Sequence, residues 1–221
     1  MMGGFKNELN NIAFEDGLFN LIILHLYQSS HNMMQDCILS RHQLYNHEDR
    51  ITDRLIDQHL NFNNLGLRFI SQSPETFIFT EDQYRGRCDI KVVSNNWFID
   101  INDYYLIECK RIDGENHLNR QYVLEGVSRF VVAPSKYPSH HKRNIMLGYV
   151  VKVVDIPNNT SKIEKLQCEL LPKVIPTEFL LRYNENAEFY HYGCTYRSDA
   201  IGSIELAHLF YDFSGVIQCD A

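Results

Sequence analysis

The chain of 221 residues has no cysteine pair spaced for zinc and no glycine-rich loop spaced for a nucleotide phosphate. No two of its six cysteines form a Cys-x-x-Cys pair, so we do not expect a structural zinc site. The cysteines are also too sparse for a small secreted scaffold held together by disulfides. Reduced thiols in a cytoplasm are therefore the simplest expectation for Cys37, Cys88, Cys109, Cys168, Cys194 and Cys219.

The chain also lacks an excess of positive charge, since 21 Lys and Arg stand against 28 Asp and Glu, for a net charge of -7. This balance argues against a protein that coats nucleic acid nonspecifically. It does not exclude a nuclease, because carboxylates that hold metal ions lower the net charge and DNA contacts need only a local basic face. One basic stretch, at 136–143, fits either such a face or a solvated loop.

Long apolar runs and a signal-peptide pattern are absent as well. The apolar run at 18–27 is interrupted by Asn20 and His25, and it is shorter than the ~20 residues that a membrane helix needs. It fits a core helix or a helix that binds a partner. The first residues lack the charged, apolar and small segments of a signal peptide. We therefore expect a cytoplasmic protein with no membrane contact.

Composition and periodicity indicate one α/β domain. Hydrophobic residues make up 44% and charged residues 22%, as in soluble globular proteins. Helical spacing of apolar residues predicts helices near 14–28, 46–60 and 117–133, with a break at Ser29–Asn32 after the first. Strand patterns stand at 69–70, 77–79, 89–93, 104–110, 146–154, 189–192 and 206–213, with turns at 73–74, 94–96 and 100–103.

This order of elements predicts a central mixed β-sheet flanked by helices. Residues 1–221 are expected to form a single domain around a core at 46–150. A helical N-terminal extension would occupy 1–45, and a β-rich C-terminal extension would occupy 151–221. Within that extension, residues 160–185 fit no single type of element.

Glu108 and Lys110 are the residues that indicate chemistry. Side chains two apart in a strand share a face, so both project from one side of the apolar segment 104–110. Charges on an interior strand are costly unless they are paired or bind a ligand. Asp89, 19 residues before Glu108, opens another strand, and antiparallel pairing would bring both carboxylates to one Mg²⁺ ion. Lys110 could then orient or deprotonate the attacking water, or stabilise charge on a phosphate.

Glu48 is a fourth member of this predicted site. It precedes Ile51 by three residues and Leu55 by seven, which places an acid on the apolar stripe of a predicted helix. Two interpretations stay open: Glu48 reaches the metal site, directly or through water, or it is a first-turn acid favoured by the helix dipole.

Asp89 followed by Glu108-Cys109-Lys110 resembles the PD-(D/E)xK signature of restriction-endonuclease-like nucleases. The helix with Glu48 before the first strands follows the order of that superfamily, and the resemblance covers roughly 46–150. Cys88 stands where the signature has proline, a departure that the superfamily tolerates. The resemblance implies a restriction-endonuclease-like core with a four-stranded mixed sheet, Mg²⁺ or Mn²⁺ as cofactor, and phosphodiester hydrolysis.

The resemblance also implies a role for each residue of the signature. Asp89 and Glu108 would bind the metal, and the main-chain carbonyl of Cys109 would add a ligand. Lys110 would serve the attacking water, with Glu48 as the additional catalytic acid.

Nucleic-acid contacts are predicted on the helix after this signature. Tyr122, Gly126 and Arg129 share a face at i, i+4 and i+7, and a glycine inside a helix indicates close approach of a strand or a DNA backbone. Arg129 would contact a phosphate or form an ion pair, for example with Glu125. Tyr122 would contact a phosphate or pack between helix and sheet. Further phosphate contacts are expected from Arg85, Arg87, Arg111 and Arg120.

Four functions stay open on the sequence alone. The first is a metal-dependent DNA endonuclease. The resemblance to this superfamily suggests a role for it in bacterial defence. The second is a catalytically silent subunit for binding or assembly, against which the intact Asp89, Glu108 and Lys110 argue. The third is a nuclease directed at RNA or at junctions, and the fourth is a small-molecule enzyme. Residues 1–45 and 155–221 would supply homodimer contacts, a lid, or docking to a partner protein that selects the target.

Overall fold

The computed structural model describes residues 8–94, 104–137 and 141–218. The chain begins with a long helix, α1 (Glu8–Ser40), and a short one, α2 (Glu48–Leu55), which continues as a π-helical turn at Ile56–Leu60. Three strands follow: β1 (Leu67–Ile78), β2 (Gln83–Ser94) and β3 (Tyr104–Ile112). A helical segment then comprises α3 (Asn116–Gln121), a π-helical stretch at Tyr122–Val127, and α4 (Ser128–Val131).

The second half of the chain adds one helix and five strands among the described residues. They are β4 (Arg143–Val150), α5 (Ile156–Leu170), β5 (Ile175–Pro176), β6 (Leu180–Glu185), β7 (Phe189–Ser198) and β8 (Gly202–Asp212). A single 3-10 turn, Ser214–Val216, follows β8.

All eight strands belong to one mixed sheet, in the order β1-β2-β3-β4-β8-β7-β5, with β6 also paired to β7. Strand β2 is antiparallel to both of its neighbours, β1 and β3, whereas β3 and β4 pair in parallel and so do β4 and β8. The predicted mixed sheet flanked by helices is thus confirmed. The parallel pair β3–β4 is joined through α3 and α4, as parallel neighbours require a crossover.

Strand β3 lies in the interior of the sheet, and eight of its nine residues are buried. One face of the sheet packs against α1 and α2, through residues such as Ile107 and Cys109. The other face packs against α3, α4 and α5, through residues such as Leu106. A strand covered on both faces reads as a nearly continuous apolar run, which explains the sequence of this segment.

Two predicted boundaries are wrong. Helix α1 runs through Ser29–Asn32, because Ser29 and Ser30 are buried and packing outweighs their weak helix propensity. The predicted turn at Ser73–Pro74 is part of the continuous strand β1, where Pro74 pairs with Arg87. Proline is tolerated there because β1 is an edge strand, and the actual turn lies at 79–82.

Two predicted helices and the predicted C-terminal strand pair correspond to elements of the structure. The predicted helices at 46–60 and 117–133 correspond to 48–60 and 116–131, and the final strand pair is the β7–β8 hairpin. The ambiguous segment 160–185 contains α5, β5 and β6. The predicted turns at 95–96 and 100–103 lie outside the described residues.

The apolar face of α1 is used mainly inside the molecule. Phe19, Ile22, Ile23 and Leu26 are buried in the core, whereas Leu24 is 46% exposed. Core burial, one of the two interpretations of this run, therefore accounts for most of it. None of the described helices combines the length and the apolar character needed to cross a membrane.

Candidate active site

Asp89 and Glu108 face each other across the antiparallel strands β2 and β3. The paired ladder of these strands ends with Ile90 and Ile107, and Asp89 and Glu108 are the next residues on the two strands. Beyond the ladder, the Asp89 side chain takes the place of a main-chain acceptor: its Oδ2 accepts a hydrogen bond from the main-chain N–H of Cys109 at 2.7 Å. The expected position of these two carboxylates on neighbouring antiparallel strands is confirmed, whereas their binding of one ion stays a prediction.

Lys110 lies where several oxygen atoms converge. Its Nζ is 2.6 Å from Oε1 of Glu48, 2.8 Å from the carbonyl oxygen of Cys109, and 3.1 Å from Oε1 of Glu108. The side chain of Lys110 is only 8% exposed, so these contacts replace most of its hydration. The Lys110 ammonium thus contacts two of the oxygens that are predicted to bind a metal ion, the Cys109 carbonyl and Oε1 of Glu108.

Glu48 joins the site from the first turn of α2. While Oε1 binds Lys110, Oε2 accepts the main-chain N–H of Arg111 at 3.2 Å. Of the two interpretations of this acid, the contacts favour the one in which Glu48 reaches the predicted site. Its position in the first helical turn also suits a negative charge, so the two interpretations are compatible.

Glu108 is fully buried, and both of its carboxylate oxygens accept hydrogen bonds. Arg129 Nη1 lies 2.6 Å from Oε1, and the hydroxyl of Tyr137 lies 2.7 Å from Oε2. Arg129 also donates to the Tyr137 hydroxyl at 2.7 Å, while the Arg87 carbonyl lies 2.6 Å from the same hydroxyl. Because a phenol has one proton, Tyr137 donates to Glu108 or to Arg87 at any moment.

Burial controls the protonation of the two opposed carboxyl groups. It raises the pKa of Asp89 to about 6, even though Lys110 and the Cys109 N–H favour the ionised form. Burial, together with the charge of Asp89, raises the pKa of Glu108 to about 7. For Lys110, burial lowers the pKa, but the carboxylates outweigh it and raise the pKa above its ordinary value. Lys110 is therefore an ammonium, beside acids that bind protons near neutral pH.

Gly126 allows the helical segment to approach the site closely. A Cβ atom at this position would lie 2.5 Å from Met146 Cε and 3.4 Å from Lys110 Cγ. The close approach of a strand, predicted from a glycine inside a helix, is confirmed. It brings Arg129, three residues later, to Glu108 on the neighbouring strand.

Tyr122 is a correction to the predicted nucleic-acid contacts. Its side chain is fully buried, and its hydroxyl lies 2.8 Å from Nδ1 of His208, so it is not available to a phosphate. The alternative of helix–sheet packing is the one that the structure has. Tyr122 begins a π-helical stretch, whose wider turns change the face on which i, i+4 and i+7 residues lie.

The five predicted phosphate-binding arginines lie in different settings. Arg129 binds Glu108 instead of Glu125, and Arg111 Nη1 binds the Asn46 carbonyl oxygen at 2.8 Å. Arg120 is 3.8 Å from Glu169 in a largely solvated pair. Phosphate binding stays a prediction for these three and for the exposed Arg85 and Arg87.

Tyr137 was not predicted from the sequence. It follows Pro134 in a segment without helical or strand periodicity, so no local pattern indicates its contact with Glu108. Only tertiary packing places it: it lies against Phe130 with ring centroids 5.1 Å apart and covers Gly86.

The oxygen donors around Lys110 fit a hard cation in their chemistry. Asp89, Glu108 and the Cys109 carbonyl offer the oxygen ligands that Mg²⁺ prefers. Within the described ranges, however, no group of three or more His, Cys, Asp or Glu residues is arranged to hold a metal ion. Lys110 and Arg129 both contact Oε1 of Glu108, and Lys110 also contacts the Cys109 carbonyl, so a bound ion would have to share or displace those contacts.

No protein-family model, curated protein or solved structure matches the chain.

Proposed function

We propose that the protein hydrolyses phosphodiester bonds of nucleic acid with a divalent metal ion, as a DNA endonuclease of the PD-(D/E)xK type. One observation carries this proposal: Lys110 Nζ lies within 3.1 Å of oxygens from Glu48, Cys109 and Glu108. Asp89 is held beside them by the Cys109 N–H. Residues from three elements, α2, β2 and β3, thus meet around the Lys110 ammonium.

In this proposal the carboxylates of Asp89 and Glu108 and the Cys109 carbonyl hold Mg²⁺ or Mn²⁺. When bound, the ion would polarise the phosphate and lower the pKa of a water molecule. The protein's part is to hold these oxygens in fixed positions, and it does so through the Cys109 N–H on Asp89 and the Tyr137 hydroxyl on Glu108. Such preorganisation reduces the reorganisation that accompanies the reaction.

Lys110 acts as a donor in the proposed mechanism. Its raised pKa disfavours the role of general base, which is one of the roles open from the sequence. As an ammonium it can orient the attacking water or stabilise negative charge on the phosphate. Glu48 is a positioning residue. Its carboxylate, on α2, binds the Lys110 ammonium and fixes its position, and it does not need to contact the phosphate.

The alternative function, a silent nuclease-fold subunit for binding or assembly, also has an observation in its favour. Glu108 is fully buried, and its two oxygens are already bound by Arg129, Lys110 and Tyr137. A structural network of this kind needs no metal ion. In a silent subunit these contacts would be permanent, whereas in a nuclease the ion would rearrange them.

Cleavage of supercoiled plasmid with Mg²⁺, with Mn²⁺ and with EDTA tests the proposal, with RNA as a second substrate. We expect the wild type to cut with a metal ion and to stop with EDTA, and Glu108→Ala and Lys110→Ala to lose the activity. Glu125→Gln, an exposed acid on the same helical segment, serves as the control and should cut normally. A folded wild type that cuts neither substrate with either ion would favour the silent subunit.

A further inference from the structure

Three aromatic rings are exposed together at the tip of the β1–β2 hairpin. Phe79 is 89% exposed, Tyr84 is 55% exposed and Phe77 is 37% exposed. Ring centroids lie 5.2 Å apart for Phe77 and Phe79 and 5.1 Å apart for Phe77 and Tyr84. A contiguous exposed aromatic cluster on a projecting hairpin is a feature of binding surfaces. We refer to Phe77, Phe79 and Tyr84 as the tip cluster.

The tip cluster is connected to the candidate active site by the strand that carries Asp89. Phe77 pairs with Tyr84 across the hairpin. Tyr84, Gly86 and Cys88 are two residues apart on β2 and therefore share one face of the strand. Cys88 packs in the same core cluster as Tyr137, whose hydroxyl binds Glu108. At about 3.4 Å per residue, Tyr84 lies roughly 17 Å from Asp89 along the strand.

Cationic side chains occupy the interval between the tip cluster and the active site. Arg85 and Arg87 are exposed on β2, and Lys136 is exposed where its segment covers Gly86. In the described part of the chain, the guanidinium of Arg85 donates one hydrogen bond, to the main-chain carbonyl of Ser135 at 3.3 Å. Within that part, neither Arg85 nor Arg87 forms an ion pair with an acid, so their charges face solvent.

We propose that the β1–β2 hairpin binds single-stranded nucleic acid and leads it to the active site. Bases would stack on the tip cluster, and phosphates would follow Arg85, Arg87 and Lys136 toward Glu108. The aromatic rings favour a single strand because the base faces of a duplex are already stacked on each other. The cations favour a polyanion over an apolar protein partner. This inference rests on the proposed function, for which it specifies the strandedness of the substrate.

Fluorescence anisotropy with labelled oligothymidylate and oligouridylate tests the proposal, in EDTA so that metal-dependent cleavage cannot occur. We expect Phe79→Ala/Tyr84→Ala to weaken binding by about tenfold or more, since one aromatic–base stack is worth that factor. Phe62→Ala removes an aromatic ring that is 77% exposed and that precedes β1, at the end of this strand away from the tip, and it should bind normally. Arg85→Ala/Arg87→Ala should also reduce the salt dependence of binding.

The oligothymidylate and oligouridylate arms distinguish DNA from RNA, and an oligothymidylate–oligoadenylate duplex tests strandedness. Unchanged binding by the Phe79→Ala/Tyr84→Ala variant would overturn the proposal, as would a wild type that prefers the duplex or binds none of the probes. Because binding is read without metal, metal-dependent plasmid cleavage separates the two proposals. A wild type that cuts plasmid while the tip variant binds normally keeps the proposed function and rejects the hairpin surface.

Discussion

The ammonium of Lys110 lies 2.6 Å from the carboxylate of Glu48, although 62 residues separate them in the chain. This ion pair ties the first turn of α2 to the interior strand β3. Among the described residues, the cluster contains three acids, Glu48, Asp89 and Glu108, and two cations, Lys110 and Arg129. When all five are ionised, one negative charge is left over in a largely buried place. A proton or a metal ion can compensate it.

The excess charge predicts that the protein becomes less stable as the pH rises. In the folded protein the pKa of Glu108 is about 7, against 4.5 ordinarily. Between these two pH values the unfolded chain has lost this proton while the folded protein keeps it, so the free energy of unfolding falls as the pH rises. The stability lost between about pH 4.5 and pH 7 is on the order of 3 kcal/mol from this group. Thermal unfolding from pH 5 to pH 8 measures this loss, because a decrease of 1 kcal/mol in the free energy of unfolding lowers Tm by about 2–4 °C. Glu108→Gln should flatten the profile, and an equally steep profile in this variant would contradict the assignment.

Metal ions should reverse this loss of stability. In the proposed function a divalent ion competes with protons for Asp89 and Glu108, so Mg²⁺ or Mn²⁺ should raise Tm more at pH 8 than at pH 6. The increase should disappear in Asp89→Asn and persist in Glu125→Gln. An equal increase in wild type and Asp89→Asn would indicate ions bound elsewhere on the surface.

Tyr137→Phe should reduce cleavage roughly 10- to 100-fold, the range found when a group that orients a metal ligand is removed. Phenylalanine fills the same space against Phe130 but lacks the hydroxyl that binds Glu108 and Arg129. The concentration of Mg²⁺ needed for half-maximal activity should rise, a change that general loss of folded protein does not produce. Tyr45→Phe, at a site that is 52% exposed, is the control. Full activity of Tyr137→Phe at low Mg²⁺ would remove Tyr137 from the site.

Lys110→Met should destabilise the protein by about 3–5 kcal/mol at pH 8, because it leaves Arg129 as the one cation for the carboxylates of Glu48, Asp89 and Glu108. The loss should be smaller at pH 5.5, where Glu108 takes up a proton. Adding Glu48→Gln should restore part of the stability, and a double-mutant cycle measures that coupling. Lys152→Met, which breaks a solvated pair with Asp113, should cost less than about 1 kcal/mol. Additive effects of Lys110→Met and Glu48→Gln would contradict the described ion pair.

The centre of the site could be predicted from the sequence because it depends on local geometry. The period of two in a strand places Glu108 and Lys110 on one face, and a hairpin-like spacing places Asp89 beside them. Tyr137 could not be predicted, because its contact with Glu108 depends on how an irregular segment packs. Tyr122 was misassigned because a regular helical period does not apply within a π-helical stretch.

The predicted boundaries failed where tertiary contacts overrode local signals. Ser29 and Ser30 stay helical because they are buried between elements, and Pro74 stays in a strand because that strand is at the edge of the sheet. Strand β3 and the helical segments at 48–60 and 116–131, in contrast, follow strong apolar periodicity, and each agrees with its prediction to within two residues at either end.

The most direct test of the account measures Mn²⁺ binding and strand scission in the same samples, by electron paramagnetic resonance and gel electrophoresis. Wild type, Asp89→Asn, Glu108→Gln and the control Glu125→Gln would be compared at pH 8. We predict that wild type and control bind Mn²⁺ and cut DNA, and that both properties are lost together in Asp89→Asn and Glu108→Gln. Scission that persists in Glu108→Gln, or Mn²⁺ bound to wild type without any scission of DNA or RNA, would contradict a catalytic site at Asp89, Glu108 and Lys110.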